Sequence, residues 1–203
     1  YIWMDKSLEP YADLQDMSAS NIDFNDDLDL TGSDIRNANF QYSDLTYINL
    51  TDVDLEAANF MYADLTGANL TNADLSTAYA YGTDFTGATL TGVIFSSDTY
   101  LSAANFTDVD FSGYDFSGID LRHVNFTNAN LSGANLTNTN LESADLTGAD
   151  LDDADLTGAN LFRATYDLYK NTATFTASID KWVPDSLTTD GAPKWIDGSA
   201  MKL

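Results

Sequence analysis

The stretch Ala58-Asn-Phe-Met-Tyr-Ala-Asp-Leu-Thr-Gly-Ala-Asn-Leu-Thr-Asn-Ala-Asp-Leu75 decides the fold, because every fifth residue is large and apolar. Each unit reads small, Asn or Asp, large, then two mostly polar residues. A period of five fits neither the 3.6 of an α-helix nor the 2 of a plain strand. It suits a short extended step followed by a turn. In the extended step, residues two apart share a face, so the small and large residues point inward and the one between them points out. The same frame holds for Ala38-Asn39-Phe40, Ala129-Asn130-Leu131, Ala134-Asn135-Leu136, Ala144-Asp145-Leu146 and Ala154-Asp155-Leu156. The large residue recurs every five positions from Leu30 to Phe95 and again from Leu101 to Tyr166, with Leu14, Ala19 and Phe24 as a leading run.

This pattern closely resembles the pentapeptide-repeat protein family, whose unit is centred on A(D/N)LXX. The resemblance covers Ala12 to Tyr166. It implies an all-β fold: a right-handed quadrilateral parallel β-helix with one unit per side, twenty residues per coil and about eight coils. Successive coils should lie ~4.8 Å apart. The expected organisation is an N-terminal cap or joining segment over 1–11, the β-helix over 12–166, and a C-terminal capping or assembly segment over 167–203.

The composition narrows the partners. The chain has 8 basic and 32 acidic residues, a formal charge of −24, which repels nucleic acid and anionic membranes. Almost all the acid is Asp, since Glu9, Glu56 and Glu142 are the only glutamates. Preference for the shorter carboxylate points to local bonds with turn backbone. No cysteine is present, which removes disulfides and thiolate chemistry. No run of 18 apolar residues occurs, so no membrane span is expected. The chain begins at Tyr1, and export after leader removal, to the cell surface or beyond, is the expectation; a cytoplasmic location is the alternative.

Register slips by one residue at Asn25-Asp26-Asp27 and at Ser96-Ser97-Asp98. Each reads as a bulge that accommodates a corner, or as a cation site on the extra Asp, although it lacks the ligand spacing of a Ca²⁺ loop. The ends of a solenoid expose unpaired backbone and need covers. Trp3 and Tyr11 suit one end; Phe175, Trp182 and Trp195 suit the other. Five of the eight basic residues, Lys6, Lys170, Lys181, Lys194 and Lys202, also lie there. These termini fit simple capping, or end-to-end joining of copies into a filament.

Twenty-residue spacing sorts the units onto four faces. The outward residue before each centre is Asp13, Asp34, Asp54, Asp74, Asp115 and Asp155 on one face, and Asp23, Asp44, Asp64, Asp84 and Asp145 on another. A third face carries Asn39, Asn59, Tyr79, Tyr100, Asp120, Asn140 and Asn160 instead. Its following corner adds Tyr42, Met61, Tyr62, Tyr81, Arg122, Phe162 and Arg163. Ala80 stands where a Leu or Phe belongs, between Tyr79 and Tyr81. This aromatic, nearly neutral stripe is either a self-supporting ladder or a partner-binding surface.

Catalytic machinery is not evident. The single histidine, His123, sits on a surface corner beside Arg122, and no phosphate loop, HExxH or GxSxG motif occurs. The solvated Asp pairs suit no raised-pKa acid. An enzyme, a bound cofactor and a metal centre are therefore not expected. Six Asn-X-Ser/Thr sequons, at Asn49, Asn69, Asn105, Asn125, Asn130 and Asn135, arise from the repeat and are possible N-glycosylation sites. The leading expectation is a non-catalytic, exported structural module that self-associates, end to end or through the stripe, or docks a partner. Some members of the resembled family act on DNA gyrase as acidic DNA mimics, which gives the first alternative. A cell-surface binder of carbohydrate, or of weak cations on the acidic faces, is the second.

Overall fold

A computed structural model describes residues 9–24 and 28–166 of the chain. The slip at Asn25–Asp27 and the terminal residues Trp3, Phe175, Trp182 and Trp195 lie outside the described residues. The fold is a right-handed quadrilateral β-helix. Its rungs are parallel single-residue bridges between the outward Asx positions of successive coils, as in Asp34–Asp54–Asp74 and Asp44–Asp64–Asp84. Among the described residues only β1 (Asp145–Leu146) and β2 (Thr165–Tyr166) extend the ladder to two residues, again in parallel register.

Backbone bonding explains the five-residue unit. Around Leu65 every N–H is placed. Ala63 N donates to Phe60 O (2.8 Å) and closes a turn; Asp64 N donates to Ser43 O (2.9 Å) in the preceding coil. Leu65 N donates to Asp84 O (2.7 Å) and Gly67 N to Thr86 O (2.9 Å), both in the following coil. The fifth, Thr66 N, donates to the Asp64 side chain at 2.9 Å. A buried or half-buried solenoid wall leaves no backbone donor without an acceptor when the outward residue is Asp or Asn. That is the physical reason for the A(D/N)L core of the unit.

The corners carry the second requirement. In Leu65-Thr66-Gly67-Ala68 the Ala68 N–H returns to Leu65 O (3.0 Å), and Gly67 has φ +67°. A positive φ at the third residue alone is the type II turn signature. Asn and Asp tolerate this left-handed conformation, as Asn37, Asp52 and Asn72 do here. Tyr11, Tyr42, Tyr47 and Tyr62 also adopt it, with φ of 56–64°.

The described residues divide into two compact units, one ending at Asn105 and one starting at Phe106. In the first, Leu30, Leu50 and Leu70, Ile35, Leu55 and Leu75, and Phe40 and Phe60 are buried centres. Phe40 and Phe60 stack with centroids 5.2 Å apart. Ala80 follows Phe60 and is fully buried despite its size. Small inward hydroxyls are satisfied by main chain: Ser43 Oγ donates to Ala19 O (2.6 Å) and Thr83 Oγ1 to Phe60 O (2.7 Å). The second unit begins with a denser aromatic core, in which Phe106, Phe111, Phe116 and Phe126 meet at 4.9–6.1 Å, mostly edge to face.

The slip at Ser96–Asp98 is absorbed within one corner. Thr99 N still closes a turn onto Ser96 O (3.0 Å), but neither Ser97 nor Asp98 is left-handed. Thr99 turns inward, and its Oγ1 donates to Leu75 O (3.1 Å) and accepts Ser96 N–H (2.9 Å). Rung spacing changes from 20 residues at Asp74–Ile94 to 21 at Tyr79–Tyr100. The extra residue therefore works as a corner spacer. Among the described residues no cluster of His, Cys, Asp or Glu could hold a metal ion, and no helix is long and apolar enough to cross a membrane.

Candidate functional site

The first unit presents two contrasting surfaces. On the acidic face, Asp34, Asp54 and Asp74 each clamp the N–H two residues on, at 3.3, 3.1 and 2.9 Å. The expected local bonding of Asp to turn backbone is thus present. Arg36 interrupts the charge. It binds Asp34 through Nε (2.9 Å) and a terminal nitrogen (2.6 Å) and reaches Asp54 at 3.4 Å. The Arg36 hydrogen bond holds the Asp34 carboxyl below its usual value. Exposed pairs of this kind add little stability, but the single guanidinium offsets one of the two carboxylate charges.

The neutral face differs at its rungs. Tyr79 and Tyr100 take the place of Asp or Asn, and a phenol cannot reach back to the N–H two residues on. Main-chain coupling continues regardless: Phe60 N donates to Tyr79 O (2.7 Å) and Ala80 N to Tyr100 O (2.8 Å). Instead of the clamp, the Tyr79 and Tyr100 rings stack on each other, with centroids 5.4 Å apart and planes 12° apart. A pair of this type contributes about 0.5–1.5 kcal/mol beyond its buried area. Both remain well exposed, 46% and 60%.

A second row runs along the corner. Tyr42 stacks on Tyr62 at 5.2 Å with planes 6° apart, and Tyr62 meets Tyr81 edge-on at 5.5 Å. Tyr42 and Tyr62 stand at the left-handed corner position, whereas Tyr79 and Tyr100 stand at the rung, so the tyrosines form two rows. Tyr62 leans over Gly82, where a Cβ would lie 2.8 Å from its ring. Tyr81, one position earlier in its unit than Tyr62, then meets that ring from the side. Partial desolvation, with Tyr81 and Tyr42 adding to it, raises the Tyr62 phenol above its ordinary pKa. Met61 is half-buried beside this row.

The remaining expected residues occupy other surroundings. In the second unit Arg122 is locked onto Asp120, through Nε (2.9 and 3.0 Å) and a terminal nitrogen (2.6 Å). This neutralises the one Asp among the rungs of that face. Arg163 lies over the Phe162 ring at 4.9 Å. His123 takes a left-handed corner position with φ +60°. Tyr11 occupies a repeat corner: its N–H donates to Thr31 O (2.8 Å), and its ring covers Gly32. Tyr47 does the same over Gly67 and was not singled out from the sequence. Gly recurring about one coil after a corner Tyr (11/32, 47/67, 62/82) is the readable signal for such covers.

The sequon asparagines act as turn clamps. Asn49 Oδ1 accepts from both Thr51 N (3.2 Å) and Thr51 Oγ1 (2.7 Å), while its Nδ2 donates to Asp29 and Thr31 (3.0 Å each). Asn69 and Asn130 accept the same paired bonds from Thr71 and Ser132, and Asn135 accepts Thr137 N–H. Asn105 Nδ2 donates to Asp84 and Thr86, and Asn125 Nδ2 to Thr107. A glycan attached at Asn49 or Asn105 would replace one of the two Nδ2 hydrogens that make these bonds.

Comparison with known proteins agrees with this geometry. A family model described as pentapeptide repeats matches in 8 copies, over residues 27–56, 58–96, 97–122, 104–142 and 125–163. Comparison with curated proteins finds no match. Among solved structures, HetL from the cyanobacterium Nostoc, a pentapeptide repeat protein involved in heterocyst differentiation regulation, is 25% identical. That alignment covers 81% of this chain and 90% of HetL, with a TM-score of 0.31. A pentapeptide repeat protein of the Arabidopsis thaliana thylakoid lumen is 26% identical over 63% of this chain and 71% of its own, TM-score 0.27. Trypsin-treated QnrB1, a plasmid-mediated fluoroquinolone resistance protein, is 17% identical over 75% and 90%, TM-score 0.42.

Proposed function

The chain belongs to the pentapeptide-repeat family, and from that premise we propose that it is a non-catalytic scaffold whose first unit docks a partner, or a second copy, through the tyrosine face. One observation carries the reading. At Tyr79 and Tyr100 the Asp or Asn clamp that most described rungs carry is replaced by two large, half-exposed rings that stack on each other. The backbone gains nothing from that exchange. Tyrosine and Met are enriched at interfaces, and Asn39, Asn59, Tyr79 and Tyr100 form a run of uncharged rungs in a chain of net charge −24. A partner surface can approach there without desolvating carboxylates.

The test uses Tyr79→Asn with Tyr100→Asn, which restores the clamp. Sedimentation velocity should show wild-type association at high concentration and a monomeric variant of unchanged melting temperature. For a different partner, affinity capture should lose the same protein with the variant. A wild-type monomer at all concentrations that captures nothing would defeat the reading.

A second reading is supported by the Asp34–Asp54–Asp74 ladder: an acidic face that mimics nucleic acid toward a topoisomerase. The Asp side chains already serve the turns, and Arg36 neutralises part of the row, so this reading ranks lower. A gyrase supercoiling assay with no inhibition or protection at micromolar protein removes it. Joining through the termini, and export, remain proposals on residues outside those described.

A further inference from the structure

We propose that the tyrosine rows are a built site for oxidative cross-linking: a one-electron oxidant of the haem-peroxidase class, fed by hydrogen peroxide, joins Tyr79 to Tyr100 and Tyr42 to Tyr62 as dityrosine. The inference is independent of whether the face docks a partner. It rests on the orientation of the rings, their exposure and the absence of cysteine.

Orbital direction selects the pairs. Oxidation removes one electron from each phenol, and the hydroxyl proton goes to water. Spin in the resulting phenoxyl radicals sits partly on the carbons ortho to oxygen, in π lobes normal to the ring. Two such carbons bond most readily when the rings face each other. Tyr79–Tyr100 (5.4 Å, 12°) and Tyr42–Tyr62 (5.2 Å, 6°) have that arrangement. Tyr62–Tyr81, at 82°, points an edge at a face and does not. All four stacked tyrosines are at least 46% exposed, so an oxidant reaches them and their torsions close the remaining gap on the picosecond-to-nanosecond scale. The new carbon–carbon bond forms a bis-dienone, and each coupled carbon passes its hydrogen to its own ring oxygen as aromaticity returns. The net change is loss of two protons and two electrons per link, matched by reduction of one peroxide to two waters. Holding both rings together favours this intramolecular coupling over coupling between molecules. Each link would tie one coil to the next, 20 or 21 residues away, in a chain with no cysteine for the same purpose.

The experiment treats the dilute full chain with peroxidase and hydrogen peroxide, then digests it with a protease that cuts before aspartate. Aspartates at 44, 54, 64, 74, 84 and 98 place the two members of each pair on separate peptides. Mass spectrometry should find Tyr42–Tyr62 and Tyr79–Tyr100 peptides, each lighter than its parts by two hydrogens, with blue dityrosine fluorescence. Tyr79→Phe keeps a stacked ring but forms no phenoxyl; it should abolish its own link, spare Tyr42–Tyr62 and roughly halve the emission. Equal yields for Tyr62–Tyr81, links dominated by Tyr11 or Tyr47 between molecules, or fluorescence unchanged in Tyr79→Phe with Tyr42→Phe would each overturn the proposal.

Discussion

The acidic and the tyrosine faces of the first unit share one backbone and differ in what their rungs do. At Asp54 and Asp74 the outward side chain completes the hydrogen bonding of its own turn. At Tyr79 and Tyr100 it has no group that reaches that N–H and spends its surface on a ring in the next coil. The first kind of rung is required by the chain's local accounting, so an Asp there says little about partners. The second is not required, so it is where a use beyond folding is to be sought.

The sharpest way to break this contrast lies beneath the tyrosine corner. Gly82→Ala forces a Cβ into a left-handed residue and into the Tyr62 ring, 2.8 Å away. It should cost at least about 2 kcal/mol in chemical denaturation, because strain near 1–2 kcal/mol is joined by displacement of the ring. Gly87→Ala, whose φ is also positive but whose Cβ would meet nothing within 4 Å, should cost only the strain of about 1 kcal/mol. Equal losses would show that Tyr62 does not rest on Gly82.

Next in size is removal of a clamp. Asp74→Ala leaves the Ser76 N–H without its acceptor and should lower stability by about 1 kcal/mol, read as a shift in the denaturation midpoint. Tyr79→Asn exchanges a stack of similar worth for a restored clamp, so its net change should stay within about 0.5 kcal/mol. A large loss in the second variant would make the tyrosine row a structural necessity.

The smallest effect is in pH. Hydrogen bonds from Thr31 lower the pKa of Asp29, and those from Thr157 lower that of Asp155, side chain first in each case. A depressed carboxylate contributes stability that is complete above its unfolded value near 3.9. The contribution is lost as pH falls through the lower folded value. Proton titration by nuclear magnetic resonance should therefore place both midpoints below that of a model Asp. In Thr31→Val, which keeps the backbone N–H and loses the hydroxyl, the Asp29 midpoint should move up; an unmoved midpoint would remove the hydroxyl bond as its main cause.

Much of this was legible in the sequence. The five-residue period fixes which residues are inward, since an extended step can bury only alternate positions, and Leu65, Leu70 and Leu75 are all buried. Aspartate outnumbering glutamate announced the turn clamps, because only the short side chain reaches the N–H two residues on. Twenty-residue counting brought Tyr42 and Tyr62 together. The left-handed corner was also written, in Gly32, Gly67, Asn72 and Gly82, but became plain only with the backbone angles.

Other features were decided between coils. That Tyr62 lies over Gly82 and meets Tyr81 edge-on depends on the empty space a glycine leaves in the neighbouring coil, and Tyr79 stacks on Tyr100 across a rung 21 residues away. Arg36 bridging Asp34 and Asp54 depends likewise on a rung twenty residues away from its own. The sequence by itself determines the coil, because each unit satisfies its own turn. The tertiary structure alone decides how the side chains outside it pair, because those contacts are made between units remote in the chain.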